Sequence, residues 1–392
     1  MNWEKKRLTP TVLIYRDQLL PYSETFIPAQ GRSLSRYQPI YVGTRRLTER
    51  LQGESVIVLG ELLTFSRVWQ GVYKFGNIAH PRWIDILEQQ HPAMVHAHFG
   101  SDGGLVLPLC HRLRVPLMVT FHGYDATSAT PAWHTIRNQG DFFRALLLRK
   151  RDRALANADC IVAVSKFIRH QLLLRGGPAN KILVHYVGID RRQFQPRLDQ
   201  VREPVVLFVG RLVEKKGVDY LIRAMASVQR QIPGVELVVI GDGGLRSHLH
   251  TLAHQLSVNV QFLGQQPPDQ VRQWMNQAQV FCGPSIVARS GDAEGFGMVF
   301  AEAQAMGLPV VSFASGGIPE AVIHGETGLL APEKDTPQLA KYLLRLLNDA
   351  DLRQKFALAG QAHVAAKFDL QTNTRQLETI YDRVIDTYHS HN

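Results

Sequence analysis

Three cysteines, Cys110, Cys160 and Cys282, are an odd number scattered through 392 residues without a CxxC pair. That spacing excludes a disulfide framework and a thiolate zinc site, and it fits a reducing, cytoplasmic setting. Long apolar runs are missing too. None approaches the roughly 18 residues needed to cross a bilayer, and the charged start at residues 1–7 has no apolar stretch behind it. GxGxxG and GxxxxGK[ST] are both absent, so hydride transfer and nucleotide hydrolysis are poor fits. Acidic residues are the minority charge, 34 against 44 Lys and Arg, which leaves a formal charge of +10. A chain this basic points to an anionic partner: a nucleotide, a phosphorylated acceptor, an acidic membrane surface or nucleic acid. Nucleic acid is disfavoured because the basic residues are not interleaved with an aromatic stacking platform.

What is present is a globular composition, 45% hydrophobic and 20% charged, in a chain long enough for two domains. From residue 205 short apolar runs alternate with helix-period segments. The runs are 205–209, 237–240, 258–263, 280–282 and 310–313. Such alternation predicts a parallel sheet covered on both faces. The first half carries similar strand candidates at 12–15, 40–42, 56–59, 94–97, 117–120, 160–164 and 182–186. Between the halves, residues 188–204 lack apolar periodicity, which puts domain limits at 1–195 and 196–370. Residues 371–392 read as a final helix able to pack back on the first domain.

The densest chemistry is the string "GDAEGFGMVFAE" at residues 291–302. Glu294 lies in a glycine-containing loop, and the apolar run that follows predicts a helix from Met298 with Glu302 about one turn inside it, roughly 6 Å along. The glycines keep backbone amides open, the N-terminus of that helix points its unpaired N–H groups at an anion, and the two carboxylates face one elongated ligand. Glu302 has Phe300, Ala301, Ala303 and Ala305 around it, and a carboxylate so placed needs a partner. Arg211 and Lys216 leave the carboxyl end of the strand 205–209, where open α/β sheets bind ligands, and suit a pyrophosphate. Solvated loop charges are the plainer reading of Lys215 and Lys216. Glycine loops at 241–244 and 315–317 follow two more strands, and either serves a phosphate or only its own turn.

In the first half, His96, His98 and His122 end strand candidates. His96 and His98 alone do not make a metal site, and a hydrogen-bonding role toward substrate suits His122. Asp349-Ala350-Asp351 resembles a cation-binding string, yet it stands between two helical patterns, where a capping role fits better; no metal is expected. Residues 142–153, "FFRALLLRKRDR", combine apolar residues with a basic cluster. They make either peripheral contact with an anionic membrane or an ordinary amphipathic helix.

With these residues in place, the second half resembles the nucleotide-sugar domain of the large retaining glycosyltransferase family with the GT-B fold, through "FVGRLVEKKGVDYLIRAM", "EGFGMVFAEAQAMGLPVVSFASGGIPEAV" and "GETGLL". "HAHFG", "TFHGYD" and "ADCIVAVSKFI" resemble that family's acceptor-side domain, and "SETFI" brings the likeness nearest to exopolysaccharide enzymes of the colanic-acid type. The resemblance implies two Rossmann-like domains facing across a cleft and no cofactor. It implies a UDP- or GDP-sugar donor and a glycan or lipid-linked acceptor in polysaccharide biosynthesis. Arg211 and Lys216, with the amides of residues 295–299, would hold the donor diphosphate. Glu302 would accept from the ribose hydroxyls and Glu294 from the donor sugar, with His122 beside that sugar. The catalytic pair would be Glu294 and His122. Departures from the family are "LLPYSET" where a glycine-rich loop is common, with Ser23 as a helix cap, and Tyr186 and Val187 before Gly188 where an asparagine is common. An epimerase, a phosphorylase or a non-catalytic nucleotide-sugar-binding protein on a similar fold is the alternative.

Overall fold

In a computed structural model the chain is described over residues 9–21, 24–48, 51–129, 139–197 and 200–391, so Ser23 and the charged start lie outside the described residues. The chain divides into two compact units: one made of Met1–Val164, Ile168–Gly188 and Leu370–Asn392, the other of Ser165–Phe167 and Ile189–Asp369.

The first unit is built on a seven-stranded sheet with Val56–Val58, Gln38–Gly43, Thr11–Tyr15, Pro92–His98, Leu117–Phe121, Cys160–Ala163 and Ile182–Val184 side by side. Every pairing is parallel. Leu117–Phe121 is buried at all five positions, as a strand covered on both faces must be, and this explains why it reads as a run and not as an alternation. Gln18–Leu19 pairs with Arg45–Arg46 in a small extra sheet too short to leave a sequence signal.

The second unit has six parallel strands in the order Val260–Gly264, Glu236–Ile240, Glu203–Val209, Ala278–Cys282, Val310–Phe313 and Gly328–Ala331. The last strand was not among the sequence candidates, because four residues beginning with glycine after a turn carry little periodicity. Val206 and Phe208 of the central strand share one core with Leu221, Ile222, Met225 and Val228 from the helix Val218–Gln231. Full burial of each such side chain stabilises by about 1.5–3 kcal/mol.

The final helix, Leu370–His391, belongs to the first unit, where Leu377, Ile380 and Tyr381 enter a core with Val12, Ile14 and Tyr37. Beside them the buried Glu378 carboxylate accepts from the backbone N–H of Ser35 and of Arg36, both at 2.6 Å, and from Ser35 Oγ at 3.0 Å. A buried charge with three donors is a specific latch, and it holds the final helix on the first unit.

One feature of both sheets positions the chemistry. Thr11–Tyr15 has Gln38–Gly43 on one side and Pro92–His98 on the other, and Glu203–Val209 likewise lies between Glu236–Ile240 and Ala278–Cys282. At such a strand successive crossovers turn opposite ways, the loops at its carboxyl end part, and a crevice opens.

Candidate functional site

In the second unit the loops at that crevice carry Arg211 from the central strand and Glu294 from the segment that follows Ala278–Cys282. Lys216 closes the short 3-10 turn Glu214–Lys216, and its Nζ stands 2.6 Å from Glu294 Oε2. Next to this pair, Lys215 Nζ is 3.0 Å from Asp292 Oδ1, and Lys215 is only 7% exposed. Neither lysine is a solvated loop charge. Burial pushes the Glu294 carboxyl up, but Lys216, Lys215 and Arg211 outweigh it and draw the group down to about 2. Glu294 is therefore ionised throughout the neutral range.

The helix after Glu294 runs Met298–Ala305 and starts from Gly297 at φ +82. A side chain there would be strained, and its Cβ would meet the Phe300 ring at 2.4 Å and Glu294 Cγ at 3.2 Å. Gly297 thus aims both the helix N-terminus and the catalytic candidate. The amides of Gly295, Phe296, Met298 and Val299 lie in or next to this first turn, where partial positive charge gathers. Gly316 makes a close approach of another kind: at φ +58, a Cβ on it would stand 2.4 Å from the Glu294 carbonyl, while Gly317 donates to that carbonyl at 2.9 Å. The 315–317 loop therefore braces the Glu294 backbone. Ser165 Oγ fastens the neighbouring Gly295 carbonyl at 2.6 Å.

Glu302, the fifth residue of that helix, has the opposite electrostatic setting. Burial raises its carboxyl to about 7, and Arg272 and Lys216 counter only part of the effect. Among the described residues no side chain donates a hydrogen bond to it. A carboxylate held at high energy in this way is prepared for a ligand that brings donors.

In the first unit Arg16 follows the central strand as Arg211 does in the second. It donates to Glu24 at 2.8 and 2.9 Å and to Asp102 at 2.7 Å, with its guanidinium 4.5 Å from the Phe99 ring centre. Phe99 holds φ +74, an uncommon backbone state for an aromatic residue and one that clusters at functional sites. His122 lies among Phe26, Phe99 and His98, at centroid distances of 4.8, 4.7 and 5.3 Å. Its Nε2 shares a hydrogen bond of 3.0 Å with His98 Nδ1. Desolvation and the neighbouring positive groups lower His122 to about 3, so the ring is neutral and able to donate or accept one hydrogen bond. The His122 loop is tied by Asp125, whose carboxylate accepts from the backbone N–H of His122, Gly123 and Gly100. His96 is bonded to Tyr381 and Thr120, both at 2.7 Å, which makes it a satisfied core histidine.

Asp349 caps the helix Ala350–Lys367 by accepting from Leu352 N–H at 2.9 Å, and among the described residues no cluster suited to a metal ion occurs. Sequence reasoning missed Asp292, Asp125, Arg16, Glu24, Asp102 and Arg272. Arg16 had a readable signal, since it follows a strand as Arg211 does; Asp292 and Asp125 stand inside the strings around Glu294 and His122 without a signal of their own, and Glu24, Asp102 and Arg272 meet their partners only by folding.

Comparison with known proteins adds two family matches. The profile described as "Glycosyl transferases group 1" matches residues 190–363, and that described as "Glycosyltransferase Family 4" matches residues 37–193. The amylovoran biosynthesis glycosyltransferase AmsK of Erwinia amylovora is 34% identical over 297 residues, covering 73% of this chain and 69% of that one. The putative colanic acid biosynthesis glycosyltransferase WcaL of Salmonella typhimurium is 30% identical, covering 74% and 70%. A GDP-mannose-dependent phosphatidylinositol monomannoside mannosyltransferase of Mycobacterium tuberculosis is 33% identical over 56% of this chain and 60% of its own length. Among solved structures, Anabaena HepE in complex with UDP-glucose superposes with a TM-score of 0.74 at 21% identity, over 95% of this chain and 99% of that one. Sucrose-phosphate synthase from Thermosynechococcus elongatus gives 0.74 at 21%, over 96% and 100%. These two likenesses concern the fold, which is GT-B.

Proposed function

Because this chain belongs to the group 1 glycosyl transferases of glycosyltransferase family 4, we propose that it moves a sugar, with retention at the anomeric carbon, from a UDP- or GDP-sugar to a hydroxyl of a glycan or lipid-linked saccharide. The observation that carries the assignment is the convergence of Lys216 and Arg211 on Glu294 beside the N-terminus of Met298–Ala305. An exopolysaccharide acceptor is supported by relatives named for amylovoran and colanic acid biosynthesis. Either donor base is supported by a mannosyltransferase relative named as GDP-mannose-dependent and by the UDP-glucose complex of HepE.

On this reading the diphosphate lies against Arg211, Lys216 and the helix amides. As the bond from the anomeric carbon to the phosphate oxygen breaks, charge grows on that oxygen where fixed positive groups stand, and such preorganisation lowers the barrier. The acceptor oxygen bonds to the carbon on the same face, and its proton passes to the departing phosphate oxygen. Glu294, ionised and anchored by Lys216, accepts from donor-sugar hydroxyls; Glu302 accepts from the ribose; neutral His122 holds a sugar hydroxyl. Sugar binding at Glu294 must share the carboxylate with Lys216, whose ammonium then turns toward the diphosphate.

The test is release of nucleoside diphosphate from a panel of UDP- and GDP-sugars, with donor alone and with lipid-linked saccharide. Glu294→Ala is expected to fold normally and to lose turnover by about a thousandfold, the scale of deleting a group that organises a transition state. Normal turnover by the folded variant removes Glu294 from the mechanism, and isomerisation of the nucleotide-sugar with no acceptor present and no diphosphate released replaces transfer by epimerisation.

A further inference from the structure

Two consecutive lysines of the second unit meet two acidic residues of one loop. Lys215 Nζ is 3.0 Å from Asp292 Oδ1, and Lys216 Nζ is 2.6 Å from Glu294 Oε2. The proposed transfer gives Lys216 a place at the diphosphate and leaves Lys215 and Asp292 without a role. Their surroundings are those of a fixed pair: the two side chains are 8% and 17% exposed. The Lys215 carbonyl accepts from the Ile286 N–H at 2.8 Å, and the Asp292 carbonyl accepts from the Ala288 N–H at 2.9 Å. Gly217, just beyond Lys216, holds φ +63, and a Cβ on it would stand 2.0 Å from the Pro284 carbonyl oxygen. The turn Glu214–Lys216 is therefore pressed against residues 284–292 on both sides of Lys216, and Asp292 lies two residues before Glu294.

A buried ammonium that leaves its carboxylate strands a charge, so an enclosed pair with no competing ligand stays closed. Lys216 differs from Lys215 because a diphosphate, which carries more charge than one carboxylate, competes for it. Once Lys216 turns to that ligand, Glu294 loses its 2.6 Å partner. The charged groups still facing the carboxylate are Lys215 from the turn and Arg211 from the strand end, with Asp292 on its own loop. Arg211 is itself engaged by the diphosphate, which is an anion and pushes Glu294 toward its protonated form, as burial does. After Lys216, Lys215 is the strongest of the groups that oppose that push.

We propose that Lys215 and Asp292 are positioning residues for the transfer: their ion pair clamps the Glu294 loop to the turn Glu214–Lys216, and Lys215 supplies Glu294 with a permanent counter-charge while Lys216 is engaged by the diphosphate. The proposal rests on the transfer reading and deepens it by dividing the labour of the two lysines, one fixed and one that changes partner. Lys215 touches no substrate and acts through Glu294.

Lys216→Met stands in, without any donor, for the state in which Lys216 has turned away. By NMR titration the Glu294 carboxyl should lie at least about one pH unit higher in K215M/K216M than in K216M, and K215R/K216M should restore the K216M value. In turnover, Lys215→Met with Lys216 intact is expected to lose kcat about tenfold with little change in KM for the donor. Its acid limb should move up by about one pH unit, because less of Glu294 is ionised. Lys215→Arg keeps the charge and the wild-type acid limb. Asp292→Asn leaves the Lys215 charge beside Glu294, so its melting temperature falls while its acid limb does not rise. A merely structural pair would lower melting temperature and turnover together and leave every acid limb in place. The proposal is overturned if the Glu294 carboxyl titrates alike in K216M and K215M/K216M, if Lys215→Met keeps the wild-type acid limb, or if Asp292→Asn raises it. Absence of turnover by the wild type with every nucleotide-sugar would remove the transfer reading instead, and the carboxyl comparison, which uses no donor, would still decide the counter-charge.

Discussion

Replacing Glu302 by glutamine keeps the shape of the side chain and removes its titration, which isolates the role assigned to this carboxylate. Burial raises it to about 7 in the unliganded protein. Ribose hydroxyls donate to the ionised form, so the group in the complex titrates lower than in the free protein. Affinity for the nucleotide therefore rises with pH until Glu302 is ionised in both states. With a free value near 7, the ionised fraction falls about tenfold between roughly pH 8 and pH 6, equivalent to about 1.4 kcal/mol of binding free energy. The assay is isothermal titration calorimetry of UDP and GDP across this window, on the wild type and on Glu302→Gln. The terminal phosphate of the nucleotide titrates in the same range, but it does so equally for both proteins. The difference between the two profiles belongs to Glu302. Superimposable profiles would mean that the carboxylate either does not meet the ribose or is already ionised, and the argument from its burial would fail.

Lys216→Met leaves the Glu294 carboxylate enclosed without its 2.6 Å partner. The expected result is a loss of about 2 kcal/mol in urea unfolding and a rise in the Glu294 carboxyl from about 2, seen by NMR titration; an unchanged carboxyl would refute the pairing. Acid should weaken the first unit through its histidines. His96 is held at about 3 by burial and the unfolded value is near 6.5, so the unfolded chain binds the extra proton and stability falls as pH drops from about 6.5 toward 3. Asp102 and Glu302, raised by burial, act in the opposite sense over part of this range, so the measurement is the difference between wild type and His96→Gln. The slope of stability against pH should be shallower in the variant by about 1 kcal/mol per pH unit, and equal slopes would remove His96 from the account.

Much of this protein was legible along the chain. Twelve strand candidates fell where strands form, because parallel strands buried on both faces must be continuously apolar and their ends carry glycine, histidine or charge. The string around Glu294 and Glu302, and Arg211 at a strand end, were readable for the same local reason. The sixth strand of the second sheet was not, being short and opened by glycine, and for Leu370–His391 the chain showed a helix able to pack back on the first domain but not what would hold it there. Its latch, Glu378 on Ser35 and Arg36, joins residues more than three hundred positions apart.

The sequence by itself determined the alternation of strand and helix, the two sheets, and which residue types stand at the strand ends, since periodicity and backbone preference act over a few residues. Only the tertiary structure decided which charges work together. Lys216 rather than solvent holds Glu294, Glu302 is raised instead of lowered, and Arg151 is buried while Arg67 is exposed. Those outcomes depend on desolvation and on distances of a few ångströms between segments far apart in the chain, and neither quantity exists until the chain has folded.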